Sequence, residues 1–115
     1  MAQKHAKIYA AHPDVEPVVI CSTERSKERA LQFQQEYGFR RCVTRYQSVL
    51  EDDEVEAVVI TSPDETHCDY VVRGLKAGKH ILCEKPLARS REEFDRLEQA
   101  KAKTRAVLQI GMNCR

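Results

Sequence analysis

The sequence predicts a doubly wound α/β domain, a parallel sheet with helices on its faces, and three observations carry that expectation. Short apolar runs rich in β-branched residues alternate with amphipathic stretches of helical length. The runs stop abruptly at clusters of Ser, Thr, Pro and Glu, as strands buried on both faces of a parallel sheet do. The stretch from Ala57 to Ala88 reads as one complete strand, helix and strand, which as parallel neighbours make a right-handed βαβ unit. The chain has 115 residues, enough for one domain, and its 42% apolar content supplies an ordinary core.

Residues 2 to 11 form a helix with Ala6, Tyr9 and Ala10 on one face, ended by Pro13. Pro17-Val18-Val19-Ile20-Cys21-Ser22 is a strand. A helix from about 26 to 37 gathers Ala30, Phe33 and Tyr37 and stops at Gly38. Cys42-Val43 is a short strand, followed by a helical turn at 47 to 51. Ala57-Val58-Val59-Ile60 opens the central βαβ unit. Its helix is expected to start with Ser62 as N-cap, Pro63 at the first position and Glu65 closing a capping box. Cys68, Val71, Val72 and Leu75 then give one apolar stripe, Gly78 suits the left-handed position past the helix, and His80-Ile81-Leu82-Cys83 is the second strand. Ser90 and Glu93 form a further capping box before a helix expected to turn Phe94 and Leu97 inward, and residues 106 to 112 make the last strand.

Ligands of open parallel sheets bind beyond the carboxyl ends of the strands, so the groups there are the first candidates for chemistry. They are Thr61, Ser62, Asp64, His67, Glu84 and Lys85. Lys85 offers a cation, a hydrogen-bond donor or, once desolvated, an acid, and Pro86 biases it toward extended backbone. A solvated lysine after a strand and a surface histidine in a first helical turn are the plain alternatives.

These residues carry a resemblance. Val58-Val59-Ile60-Thr61-Ser62-Pro63-Asp64-Glu65-Thr66-His67, then Ala77-Gly78-Lys79-His80 and Glu84-Lys85-Pro86, resemble the nucleotide-binding domain of the Gfo/Idh/MocA family, with Asp64 standing where Asn is usual. The resemblance runs from His5-Ala6 to Gly111-Met112-Asn113-Cys114-Arg115. It implies a Rossmann-like fold, NAD or NADP as cofactor, and hydride transfer between nicotinamide and a sugar or cyclitol hydroxyl. It places Thr61, Ser62, Pro63 and His67 near the cofactor's ribose and phosphates, Glu84 near the nicotinamide ribose, and Lys85 at the substrate hydroxyl as the catalytic residue. Asn113 and Arg115 would face the substrate cleft.

Domains of that family begin with a strand and GxGxxG, and the present sequence contains no such motif. The expectation is therefore an incomplete domain over residues 1–115, lacking its first strand and Gly-rich loop and also the family's substrate domain. In the strand order 3-2-1-4-5-6 the absent strand is central, so open edges should weaken the fold or draw copies into a homo-oligomer. The isolated chain is expected to have little or no dehydrogenase activity; the alternative is a non-catalytic interaction module. Cofactor choice stays open: Glu24, aligned back from the helix, favours NAD, whereas Ser22 at the strand end with Arg25 following favours NADP.

Nineteen basic and eighteen acidic side chains, dispersed along the chain, argue against a dedicated nucleic-acid or membrane surface. The five cysteines show no CxxC spacing and read as reduced thiols of a cytoplasmic protein, with no metal site expected. A phospho-acceptor receiver domain fails for want of an Asp at the end of the strand at 17 to 22.

Overall fold

The computed structural model describes residues 1–112; Asn113, Cys114 and Arg115 lie outside the described residues. The chain divides into two compact units, Met1–Val55 and Glu56–Arg115, each built of parallel strands and helices.

The first unit runs α1 (Ala2–Ala11), β1 (Val19–Cys21), α2 (Lys27–Tyr37), β2 (Arg41–Val43) and α3 (Tyr46–Leu50). Strands β1 and β2 pair in parallel, with Ile20 beside Cys42, and the Ser22 N–H extends the ladder to the Val43 carbonyl at 3.1 Å. Ser22 thus directly follows the strand end at Cys21. A 3-10 turn, Glu24–Ser26, leads into α2, whose Ala30 is buried while Phe33 and Tyr37 meet edge to face at 5.7 Å. The buried apolar side chains of this unit are few, Ala30, Val49 and Val55, and ion pairs surround this thin core. Arg41 places Nη2 2.6 Å and Nε 3.0 Å from Asp52 Oδ2, and Arg40 pairs with Glu16 and Glu54. The bond to Asp52 holds the Arg41 guanidinium above its already high value. The pairs to Glu16 and Glu54 are exposed, so they fix the path of the chain more than they stabilise it, whereas Asp52 is partly buried.

The second unit is β3 (Ala57–Ile60), α4 (His67–Lys76), β4 (His80–Glu84), α5 (Arg91–Ala102) and β5 (Leu108–Gly111), with parallel strand order β3-β4-β5. Register sets Ile60 beside Cys83 and Ile81 between Val58 and Leu108, which puts these apolar side chains on one face. The α4 stripe of Cys68, Val71, Val72 and Leu75 packs on that face, and Leu97 and Ala100 of α5 close the core. The expected periodicity is therefore real, and burial of these aliphatic groups drives this unit.

Helix α4 ends as the sequence suggests. Lys79 N–H reaches the Gly74 carbonyl and Gly78 N–H the Leu75 carbonyl, both at 3.0 Å, with Gly78 at φ 77. This is the six-to-one and five-to-two pattern of a Schellman cap. A Cβ at Gly78 meets nothing within 4 Å, so only its left-handed backbone resists a side chain. Gly78→Ala is expected to cost about 1–2 kcal/mol in urea unfolding; an unchanged midpoint would mean that the cap relaxes freely.

Two expectations are corrected. The capping box of Ser62 and Glu65 does not form: a 3-10 turn, Asp64–Thr66, intervenes and α4 begins at His67, because the Ser62 hydroxyl bonds Thr66 Oγ1 instead, at 2.6 Å. Phe94 is not buried; it stays 44% exposed beneath the Arg91 guanidinium, while the inward stripe of α5 runs on from Leu97 to Ala100. The Ser90 cap does form, its Oγ accepting from Glu93 N–H at 3.1 Å, though the Glu93 carboxylate turns back to Arg89 N–H rather than to Ser90.

Candidate functional site

The polar groups expected to carry function stand at carboxyl ends of parallel strands in each unit. In the second unit Thr61, Ser62 and Pro63 follow β3, while Glu84 is the last residue of β4, followed by Lys85 and a cis peptide bond to Pro86. Thr66 Oγ1 donates its one proton to the Pro63 carbonyl at 2.7 Å, so the 2.6 Å contact with Ser62 must be a donation from Ser62. Ser62 Oγ is left with acceptor capacity only. That suits a ribose hydroxyl better than a phosphate.

His67 is not the surface residue of the plain alternative. It is 1% exposed, and both ring nitrogens face backbone carbonyls. Nδ1 lies 2.7 Å from the Pro86 carbonyl and Nε2 2.8 Å from the Ser62 carbonyl. Carbonyls only accept, and a neutral imidazole brings one N–H where a protonated ring brings two.

Glu84 is buried, at 9% exposure, and its carboxylate lies over Gly111 of the neighbouring strand. A Cβ at Gly111 would stand 3.2 Å from Oε1 and 3.3 Å from Cδ, so the missing side chain leaves the seat for this carboxylate. Lys85 is exposed, and among the described residues no hydrogen bond or ion pair engages its ammonium.

Next to Glu84 in β4, burial pushes the Cys83 thiol up from the ordinary 9.0 to about 12, with the Glu84 carboxylate adding to the effect. Burial raises Cys68 as well. A folded value above the unfolded one gives stability that is whole below about pH 9 and is lost as pH climbs toward about 12. Urea midpoints are thus expected to fall across that window, and less steeply in Cys83→Ala; an equal fall in both would clear Cys83 of the effect.

In the first unit Glu24 Oε1 accepts from Thr44 Oγ1 at 2.7 Å, tying the carboxylate beyond β1 to the residue that follows β2. Ser22 Oγ donates to the Thr23 carbonyl at 3.1 Å. Arg25 is exposed, and no ion pair holds it among the described residues. Among the described residues no group of three or more His, Cys, Asp or Glu gathers as metal ligands would.

All-parallel strands, crossover helices and polar groups collected at the strand ends define an α/β domain of the nucleotide-binding class. The chain belongs to the Gfo/Idh/MocA family, described as an oxidoreductase family with an NAD-binding Rossmann fold, which matches residues 1–112. It is 31% identical over 121 residues to levoglucosan dehydrogenase of Pseudarthrobacter phenanthrenivorans, covering 100% of this chain and 31% of that protein. It is 33% identical over 93 residues to scyllo-inositol 2-dehydrogenase (NAD(+)) of Bacillus subtilis, covering 81% of this chain and 27% of that protein. Among solved structures, KijD10, a 3-ketoreductase from Actinomadura kijaniata in complex with NADP and TDP-benzene, superposes with a TM-score of 0.82 at 33% identity, covering 92% of this chain and 32% of that one. The chain therefore spans about a third of the length of such relatives. No helix among the described residues is long and apolar enough to cross a membrane.

Three participants escape the sequence reading: Thr44, Thr66 and Gly111. Thr44 carried a usable signal, a hydroxyl directly after a strand, as at Thr61. Gly111 carried none, since its role depends on the register that sets it beside Glu84.

Proposed function

We propose that this chain is the dinucleotide-holding portion of an oxidoreductase that moves hydride between nicotinamide and the carbon bearing a sugar or cyclitol hydroxyl. The observation that carries the proposal is the seating of acidic and hydroxyl groups at the ends of parallel strands in a domain matched to the family over residues 1–112. Glu24, steadied by Thr44, would accept from the adenosine ribose hydroxyls, with Ser22 and Arg25 beside it. Thr61, Ser62 and Pro63 would line the ribose side of the cofactor, and Glu84 would accept from the nicotinamide ribose. His67 would serve the cofactor through the carbonyls that it holds. Bound nicotinamide supplies the hydride acceptor or donor. Lys85 would donate a hydrogen bond to the substrate oxygen and so orient it.

Between the two cofactors the fixed Glu24 carboxylate favours NAD, because it would face the extra phosphate of NADP at close range. Calorimetric titration of the chain is expected to give saturable binding of NAD and about tenfold weaker binding of NADP. The reverse order would hand the position to Ser22 and Arg25, and a folded chain that binds neither would favour a non-catalytic interaction module. The described thiols are all free, which fits a cytoplasmic setting. Copies of the chain would associate as a homo-oligomer, and the chain alone would turn over no substrate.

A further inference from the structure

We infer that His67 is a positioning residue: its buried ring braces the turn after β3 to the turn after β4 and thereby fixes where Lys85 stands. The inference rests on the reading of this strand end as a dinucleotide site. Lys85 has no side-chain partner among the described residues, so its place is set by its backbone neighbours. On one side Glu84 is the last residue of the β4 ladder, beside Gly111, with its carboxylate over that glycine. On the other the Pro86 carbonyl is held by His67 Nδ1 at 2.7 Å. Lys85 therefore sits between two anchored points. The same ring reaches Ser62 through Nε2 at 2.8 Å, so one side chain sets the spacing between the two turns that would carry Thr61, Ser62, Glu84 and Lys85 to a ligand. At 1% exposure no water competes for the ring's contacts, which makes a bond donated by a ring N–H there costly to lose.

Two amide variants separate the bonds. An Asn amide reaches where Nδ1 lies and a Gln amide where Nε2 lies, so His67→Asn can keep Pro86 and His67→Gln can keep Ser62. Nitrogen relaxation measured on the 115-residue chain is expected to show the Lys85 amide mobile in His67→Gln and ordered in His67→Asn. The amides of Val71 and Leu75 should be unchanged in both. Affinity for NAD should fall about tenfold in His67→Gln and less in His67→Asn. A purely structural role would lower the melting temperature of both variants alike and leave Lys85 as ordered in one as in the other, which would overturn the inference. The wild-type chain gives a second measurement that does not depend on either variant folding. Ring N–H protons of His67 should exchange with water far more slowly than those of exposed His12, and equal rates would overturn the brace. Failure of the wild-type chain to bind NAD or NADP would count against the proposed function, whereas the Lys85 order and the ring exchange are read without nucleotide.

Discussion

Leu75→Ala is expected to remove about 3 kcal/mol from the stability of the second unit. Leu75 is 1% exposed in the last turn of α4, in a core shared with Val71, Ile81 and Leu97. Truncation takes away the transfer energy of three carbons and leaves a void that cannot fill readily, because the Schellman cap and the β4 ladder hold the backbone on either side of it. With domains stable by only about 5–15 kcal/mol, such a loss would show as a large shift in the urea midpoint followed by circular dichroism. A change below about 1 kcal/mol would mean that the helix can settle into the gap.

The second large effect concerns turnover. In a polypeptide that joins this chain to a substrate-holding portion, Lys85→Ala is expected to lower kcat by about a hundredfold or more, the range for losing a group that assists proton movement. The Kd for nucleotide should stay within about twofold, since the ammonium is exposed and pairs with nothing among the described residues. No buried charge is orphaned by the change, so the fold should be indifferent to it. Unchanged kcat would remove Lys85 from the chemistry and leave it a solvated side chain.

Much of this was legible from residue order because the second unit is made of local signals. β-branched runs at Ala57–Ile60 and His80–Glu84, an i, i+3, i+4, i+7 stripe and a terminal glycine agree with one another, and each is a property of neighbours in the chain. Thr61, Ser62, Glu84 and Lys85 fell at strand ends for the same reason. The failures occurred where a residue had a competing partner. Ser62 had the right chemistry for an N-cap, but its hydroxyl found Thr66 within one turn. Phe94 was apolar and in phase with Leu97, yet an Arg91 guanidinium covers it at the surface. His67 was read as a candidate but its brace was not, because the carbonyls it faces lie five and nineteen residues away and carbonyls have no residue type.

Among the described residues the strands of the second unit pair with the next strand in sequence, β3 with β4 and β4 with β5, around a core that includes residues of α4 and α5. Each pairing spans one crossover helix, 23 residues from Ala57 to His80 and 27 from Ile81 to Leu108, so the unit is built from contacts within its own stretch of chain. α1, which contains no buried residue, has little to hold it in comparison and would open first. The turns that bear Ser62, Glu84 and Lys85 spring from strands paired around that core, so a ligand arriving there would find the geometry already set rather than having to impose it.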